Sequence, residues 1–438
     1  MTGTLLARTL SRSSFSEAFA DQAFVQAMLA FESALAQTQA ECGVIPATAG
    51  KAIEAACASA RMQAGALADS GKLAGSLAIP FVKALTEHVR SVDPNAASFV
   101  HYGSTSQDVL DTAMVLCLKP CMAEVDRVLG TAIGQLAAQA RKNASVVMLG
   151  RTMLQPAIPI TAGIKIARWA TALSRSRARV AESGARALIL QLAGPVGTLD
   201  SMGAKRNDVR RGVARRLDLP ESRSWHSHRD EFLAFACSLA ILVGSIGKIA
   251  RDLALLAQAE VGEMLESAPR KGVGTSSAMP HKRNPVSCLQ AIAAATRAPG
   301  LIATLLAAGH EHERAIGGWQ AELVTVADLL ETVGGTLDAL ERIAAGLVVD
   351  PVRMQRNLEA LQGLVFSERL SRQLMQTMGR AEAQSQVDDW CSAAVAEQRQ
   401  LKEVVAAARP DLDLDAVFSL DAVMGDLAPV LEEELAGL

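Results

Sequence analysis

The feature that most constrains the fold is an unbroken apolar seam in the middle of the 438-residue chain. Apolar residues recur there in steps of three and four, at Phe232, Phe235, Leu239, Leu242, Ile246, Ile249, Leu253 and Leu256. This heptad spacing places all of them on one face of an α-helix, which would extend about 37 Å at roughly 1.5 Å per residue. Either long helices of the same chain or a partner subunit must cover a seam of that length.

Three other segments have the length and apolar content to be neighbours of this helix, namely 111–142, 157–189 and 287–308. The composition agrees, because half of the residues are apolar but only 3% are aromatic, which suits closely packed helices better than sheets. The sequence therefore predicts an all-α fold with a central bundle of long helices. We expect three domains: an N-terminal helical domain (1–110), the central long-helix bundle (111–350) and a C-terminal helical domain (351–438).

The N-terminal domain is predicted to contain an amphipathic helix at 21–42 and further helical stretches at 47–68 and 76–91. A turn at Asp93-Pro94-Asn95 follows them. The uncharged stretch 232–247 is short for a membrane span, and charged residues follow it at once, so a buried helix of a soluble protein is the better interpretation.

Charge and cysteine content limit the function classes. A net charge of -3 and a pI near 6.2 argue against a nucleic-acid-binding surface. Seven cysteines without a C-x-x-C pair suggest reduced thiols and a cytoplasmic protein, and no signal peptide or membrane partner is indicated. Cys117 and Cys121 have helical spacing, but Pro120 between them makes a shared metal site improbable.

The strongest indication of chemistry is a polar segment at 274–285, with the sequence Gly-Thr-Ser-Ser-Ala-Met-Pro-His-Lys-Arg-Asn-Pro. It brings hydroxyls, an ammonium, a guanidinium and an amide into a short stretch. Such groups suit the capture of a carboxylate and the stabilisation of charge that develops on it. The alternative is a solvated surface loop.

Four further clusters carry polar groups. The cluster at 101–108 precedes a helical run and could bind an anion through hydroxyls and free backbone N–H groups, or could simply cap the helix. The cluster at 150–156 also places polar groups just before a predicted helix. His226 and His228 have a spacing that could suggest a metal site, but no fourth ligand is evident. In the cluster at 310–314, Arg314 could clamp a substrate carboxylate, or the charges could form a solvated face.

Taken together, these segments resemble the fumarase/aspartase superfamily over nearly the whole chain. The segment at 274–285 resembles its signature loop, Gly-Ser-Ser-x-Met-Pro-x-Lys-x-Asn-Pro, with a departure at Thr275. The clusters at 101–108 and 150–156 resemble its other two active-site regions, in the same chain order. The resemblance implies an all-α, three-domain fold and a homotetramer with a core of about twenty helices and active sites shared between subunits. It also implies a small polycarboxylate substrate and no cofactor or metal.

The resemblance further implies roles for individual residues. Ser276 would be the proton-transfer residue, and Lys282 with Asn284 would stabilise the negative charge of an aci-carboxylate. Substrate contacts would come from His101, whose role stays open, and from Ser104, Thr105, Ser106, Gln155, Met279 and Arg314.

The most informative departure is Met153, where most family members carry a histidine that protonates the leaving group. A thioether cannot transfer a proton, whereas intramolecular lactonisation needs no such acid, because its nucleophile is a substrate carboxylate. In this departure, and in the stretches 78–85, 150–155 and 311–314, the chain resembles the bacterial 3-carboxy-cis,cis-muconate cycloisomerases as a subfamily. The alternatives are adenylosuccinate lyase, a cycloisomerase of a sulfo-substituted muconate, a catalytically inactive relative and a non-enzymatic helical scaffold.

Overall fold

The computed structural model describes residues 5–221, 223–267, 274, 278–279, 281–314 and 316–438. Helices dominate this part of the chain, so the all-α prediction is confirmed. The α-helices are α1 (Leu5–Arg8), α2 (Ser13–Ala18), α3 (Asp21–Glu41), α4 (Ala47–Ser59), α5 (Ala64–Ala74), α6 (Ala78–Val92), α7 (Ser106–Lys142), α8 (Ala162–Ala187), α9 (Arg206–Arg216), α10 (Asp230–Leu256), α11 (Val286–Ala307), α12 (Gly318–Gly346), α13 (Pro351–Glu359), α14 (Ser367–Leu374), α15 (Arg380–Glu397), α16 (Leu401–Ala408), α17 (Leu414–Val417) and α18 (Leu420–Ala436). Short 3₁₀ turns lie at Ala96–Phe99, Asp200–Lys205 and Leu364–Phe366.

Two small antiparallel sheets interrupt the helices. In the first, β1 (Val147–Thr152) pairs with β2 (Gln155–Thr161), and in the second, β3 (Met264–Glu266) pairs with β4 (Leu347–Val349). The prediction that the cluster at 150–156 directly precedes a helix is therefore wrong. These residues form the tip of the β1–β2 hairpin, and α8 begins only at Ala162.

The predicted apolar seam is a continuous helix, α10, and all eight seam residues are at most 4% exposed in the single chain. Cover for the seam therefore comes from the chain itself, without a partner subunit. Two large apolar side chains on the same helix are exposed in the single chain: Ile241 is 48% exposed and Leu255 is 41% exposed.

Most of the other predicted helices are present with shifted ends. The stretch at 21–42 is α3, and the three segments expected beside the seam correspond to α7, α8 and α11. The stretch at 47–68 is divided into α4 and α5, because Ala60 adopts an extended conformation with ψ 134°. The predicted turn after α6 is present, where the Asp93 carboxylate accepts hydrogen bonds from the backbone N–H groups of Asn95 and Ala96.

The chain forms two compact units, each assembled from three separate stretches. Unit 1 contains Met1–Val128, Ser176–Gly244 and Ala293–Asp338, and unit 2 contains Leu129–Arg175, Ser245–Ile292 and Ala339–Leu438. Boundaries between the units fall inside long helices such as α7 and α10. The division into three consecutive domains, which follows the order of the sequence, stays a prediction.

Two helices are long and apolar enough to cross a membrane by length and composition alone. In its most apolar window α10 is 56% buried, as is common for a core helix of a soluble protein, whereas α11 is only 28% buried. Leu289 and Leu306 of α11 are 56% and 60% exposed. The apolar surface of α11 therefore requires a separate explanation.

Candidate active site

The start of α7 is organised around the buried carboxylate of Asp108. Its oxygens accept hydrogen bonds from Ser104 Oγ (3.3 Å), His226 Nε2 (2.8 Å) and the backbone N–H groups of Thr105 (3.1 Å), Ala193 (2.9 Å) and Gly194 (3.0 Å). A carboxylate near a helix N-terminus is stabilised by the free N–H groups and the helix dipole. The backbone N–H of Thr105, expected to be free for an anionic ligand, is thus bonded to the protein's own carboxylate.

Arg314 approaches the same helix start from the segment between α11 and α12. Its Nη1 donates a 2.5 Å hydrogen bond to Thr105 Oγ1. A guanidinium carries five N–H donors in a planar fork, so a single bond to a hydroxyl leaves donors for a bidentate carboxylate contact. Within unit 1, Arg314 therefore lies beside the Thr105 hydroxyl at the start of α7.

His101 lies in the turn that leads into α7, with a left-handed φ of 57°. Its Nδ1 is 2.5 Å from Oε1 of Glu32 on α3, whose side chain is only 1% exposed. Burial acts to lower the pKa of His101, but the charge and hydrogen bond of Glu32, with a contribution from Asp108, raise it above its ordinary value of 6.5. Sequence reasoning did not identify Glu32, although a carboxylate on the apolar face of α3 was a signal for it.

A second buried charged cluster joins α7, α12 and the 225–229 segment. The Arg229 guanidinium bonds both oxygens of Asp111 (2.6 and 3.2 Å) and both oxygens of Glu322. Trp319 Nε1 donates to Asp111 Oδ1 at 2.8 Å, and the guanidinium carbon lies 4.2 Å from the centre of the Trp225 ring. Burial raises the pKa of Glu322, and the positive charge of Arg229 opposes this rise. Of the predicted polar cluster at 226–230, His226 and Arg229 are therefore buried, whereas His228 and Asp230 are exposed.

In unit 2, the β1–β2 hairpin carries Gln155 directly opposite Thr152. The two residues at the tip, Met153 and Leu154, have φ values of 50° and 65°, and their side chains are 97% and 68% exposed. Left-handed conformations are uncommon for non-glycine residues and are often found where function constrains the backbone. The tip thus presents two apolar side chains in an unfavourable backbone conformation.

A salt bridge supports the strand that leads to this tip. Arg151 bonds both oxygens of Glu263 at 2.7 Å, and Asn357 Nδ2 donates to Glu263 Oε1 at 2.8 Å. The Glu263 carboxylate is fully buried. A bidentate guanidinium–carboxylate pair fixes orientation as well as distance, so the base of the hairpin is held firmly within unit 2.

The signature segment at 274–285 is described in part. Ser276, with Thr275, Ser277 and Pro280, lies outside the described residues. The backbone N–H of Asn284 donates to the Gly274 carbonyl at 2.8 Å, and that of Lys282 donates to the Met279 carbonyl at 3.0 Å. A Cβ on Gly274 would lie 2.8 Å from Asn284 O, and φ there is +75°, so this close approach requires glycine.

Glu266, at the end of β3, caps the helix that follows the signature segment. Its carboxylate accepts from the backbone N–H groups of Ser287 (3.0 Å) and Cys288 (3.3 Å) in the first turn of α11. The elements on the two sides of the segment, β3 and α11, are therefore joined by one side chain. Lys282 is exposed and Asn284 is half-buried in the single chain.

The cysteines and histidines offer no arrangement suited to a metal in the part of the chain that the structure describes. No group of three or more His, Cys, Asp or Glu side chains there could hold an ion. Burial raises the pKa of Cys117 and of Cys121 to about 12, so both thiols stay protonated at neutral pH. His226, one of the pair that could suggest a metal, is instead bonded to Asp108.

The predicted site residues fall into two sets. Unit 1 holds the following candidates: His101, Ser104, Thr105, Ser106 and Arg314. Unit 2 holds the following described candidates: Gln155, Met279, Lys282 and Asn284.

The sequence profile of the lyase family matches residues 7–300 of this chain. A 3-carboxy-cis,cis-muconate cycloisomerase from Bradyrhizobium diazoefficiens is 44% identical over 405 residues, which cover 92% of this chain and 90% of the relative. An enzyme of the same name from Pseudomonas putida is 44% identical over 409 residues, covering 92% of this chain and 96% of the relative.

A solved structure extends this similarity to three dimensions. The crystal structure of the 3-carboxy-cis,cis-muconate lactonizing enzyme from Pseudomonas putida matches with a TM-score of 0.91 at 40% identity. The match covers 99% of each chain. The structural similarity therefore extends over both units.

Proposed function

The chain belongs to the lyase family of the fumarase/aspartase superfamily, and from this premise we propose that it is a cycloisomerase that converts 3-carboxy-cis,cis-muconate reversibly to 4-carboxymuconolactone. This conversion belongs to the protocatechuate branch of the β-ketoadipate pathway. Relatives named for this substrate, at 44% identity over more than nine-tenths of the chain, support the proposal.

In the proposed reaction, a carboxylate oxygen of the substrate bonds to a carbon of its conjugated diene. The electron pair of that double bond moves to the adjacent carbon and its carboxylate, which gives an aci-carboxylate with additional negative charge. A proton then adds to the adjacent carbon and completes the lactone. Because the nucleophile and the electrophile belong to one molecule, the protein contributes mainly orientation and charge stabilisation.

We assign the proton on carbon to Ser276, in keeping with its place in the signature segment. The Lys282 ammonium and the Asn284 amide stabilise the aci-carboxylate and support the serine, whose alkoxide is otherwise inaccessible at neutral pH. Ser104, Thr105, Ser106, Gln155 and Met279 contact the substrate, and Arg314 clamps one of its carboxylates. The Arg314–Thr105 hydrogen bond supports this role, because it places the guanidinium beside the hydroxyls at the start of α7.

The observation that carries the choice of lactonisation is Met153 at the hairpin tip. Reactions that expel a nitrogen benefit from an acid that protonates the leaving group, and a thioether has no proton to give. Ring closure by an ionised carboxylate has no leaving group. The same position in an adenylosuccinate lyase would call for an acid.

Side-by-side ultraviolet assays of the purified enzyme test the proposal, with 3-carboxy-cis,cis-muconate, its 3-sulfo analogue and adenylosuccinate as substrates. We expect the carboxy compound to have the highest kcat/KM and adenylosuccinate to be unchanged. A higher kcat/KM for the sulfo compound would reassign the substrate, and cleavage of adenylosuccinate would reject cycloisomerase activity.

We further propose a cytoplasmic homotetramer in which each active site combines residues of different subunits. The exposed apolar surface of α11 supports assembly, because only 28% of its most apolar window is buried and Leu289 and Leu306 are more than half exposed in the single chain. The exposed Met153–Leu154 tip supports sharing of sites, since it suits insertion beside a second subunit. In this account α11 is covered by other copies of the chain and not by lipid.

A further inference from the structure

The pairing of His101 with Glu32 is more than a packing contact. Glu32 lies on α3, 69 residues before His101 in the sequence. Its Oε1 is 2.5 Å from His101 Nδ1. The Glu32 side chain is 1% exposed and the His101 side chain 14% exposed. Since a buried carboxylate costs several kcal/mol of desolvation unless it is paired, this position would favour an apolar residue if only packing mattered.

The remaining polar atoms of the pair show which ring nitrogen of His101 is available to a ligand. Glu32 Oε2 is buried and has no hydrogen-bond partner among the described residues, so the carboxylate is committed to the imidazole through its other oxygen. Because Nδ1 bonds the carboxylate, Nε2 is the ring nitrogen left for a ligand. His101 also has a left-handed backbone with φ 57°, a conformation that is uncommon for non-glycine residues and is more frequent at functional sites.

We propose that Glu32 is a positioning residue that keeps the His101 ring protonated and oriented, so that its Nε2–H donates to a carboxylate of the bound substrate. This inference rests on the proposed function and adds a second cation to the candidate residues of unit 1, which already include Arg314. Three carboxylates of the substrate would then meet charged as well as neutral donors. His101 binds and stabilises charge here and does not replace the acid that is missing at Met153.

The charged groups that face His101 are carboxylates from two elements, Glu32 on α3 and Asp108 on α7. Both favour the imidazolium, and burial opposes it. Asp108 is shared with His226 and three backbone N–H groups, so Glu32 is the partner specific to His101. Loss of the Glu32 charge should therefore shift the titration of His101 to lower pH without moving the start of α7.

The variant that tests this is Glu32→Gln, which keeps the size of the side chain and an oxygen that can accept from Nδ1. We expect kcat/KM at neutral pH to fall about 10- to 100-fold, the cost of one hydrogen bond to a charged group. The alkaline decline of kcat/KM should move to lower pH. Glu41→Gln is the matched control, because Glu41 lies on the same helix and pairs with Arg216 at the surface; it should leave the pH profile unchanged.

A second measurement does not depend on turnover. Solid-state NMR of the full-length protein with ¹⁵N-labelled histidine, assigned by comparison with His101→Asn, reports the protonation of His101 directly. A lower titration midpoint in Glu32→Gln supports the pairing even if 3-carboxymuconate is not the substrate. An unchanged midpoint overturns the proposal, as does a full additional loss of kcat/KM when Glu32→Gln is added to His101→Asn, since residues that act through one another are not additive.

Discussion

At the scale of single residues, different side chains are proposed to transfer the proton and to stabilise the negative charge. Ser276 is assigned the proton on carbon, and the stabilisation of negative charge is assigned to Lys282 and Asn284 in unit 2 and to Arg314 in unit 1. Met153 contributes no proton at all. Each assignment corresponds to a variant that removes one function and leaves the others.

Ser276→Ala removes the hydroxyl that delivers the proton. We expect kcat for lactonisation to fall roughly 10²- to 10⁴-fold, the usual range for loss of a proton-transfer group. The oligomeric state, measured by analytical ultracentrifugation, should be that of the wild-type protein. Ser277→Ala is the matched control on the neighbouring serine, and near-normal activity of Ser276→Ala would remove Ser276 from the mechanism.

Met153→His restores the side chain that most of the superfamily carries at this position. Because ring closure releases no leaving group, the added acid has nothing to protonate, and kcat for lactonisation should not rise. Met153→Gln controls for a polar group at the same exposed tip. A strong rate increase specific to histidine would contradict our explanation of the missing acid.

At the scale of elements, periodic patterns in the sequence predicted helices well, whereas contacts between distant segments could not be predicted from it. The seam from Phe232 to Leu256 predicted α10 because a heptad pattern is local and repeats many times. The β1–β2 hairpin was missed because its two tip residues, Met153 and Leu154, are not the Asn-Gly or Asp-Gly pair that usually marks a two-residue turn. Glu32 was missed because its partner is 69 residues away.

The buried Arg229 cluster connects three elements of the fold, namely α7, α12 and the 225–229 segment. Arg229→Met leaves the carboxylates of Asp111 and Glu322 buried without their cation. We expect a loss of about 3–5 kcal/mol in the free energy of unfolding, as for other broken buried ion pairs. Urea unfolding at fixed protein concentration measures it. Arg216→Met, which removes an exposed pair with Glu41, should change little, and an equal effect of the two variants would contradict the role of burial.

At the scale of the whole molecule, the family fold could be predicted from sequence motifs, while the site residues and the assembly stay proposals. The proposal of shared sites makes a direct prediction for mixed tetramers. Ser276→Ala in unit 2 and Arg314→Met in unit 1 should each be inactive alone. Co-refolded or co-expressed together, they should regain part of the wild-type activity, because some sites receive an intact residue from each variant. Activity no higher than that of the separate variants would contradict shared sites.

The central claim is that the enzyme closes a lactone by adding a substrate carboxylate and one proton across a double bond. Incubation of the wild-type protein with 3-carboxy-cis,cis-muconate in D₂O, followed by NMR of the product, tests it most directly. We expect stoichiometric 4-carboxymuconolactone with a single deuterium on the carbon next to the ring-closing position. No lactone, or a product formed by cleavage into two molecules, would contradict it.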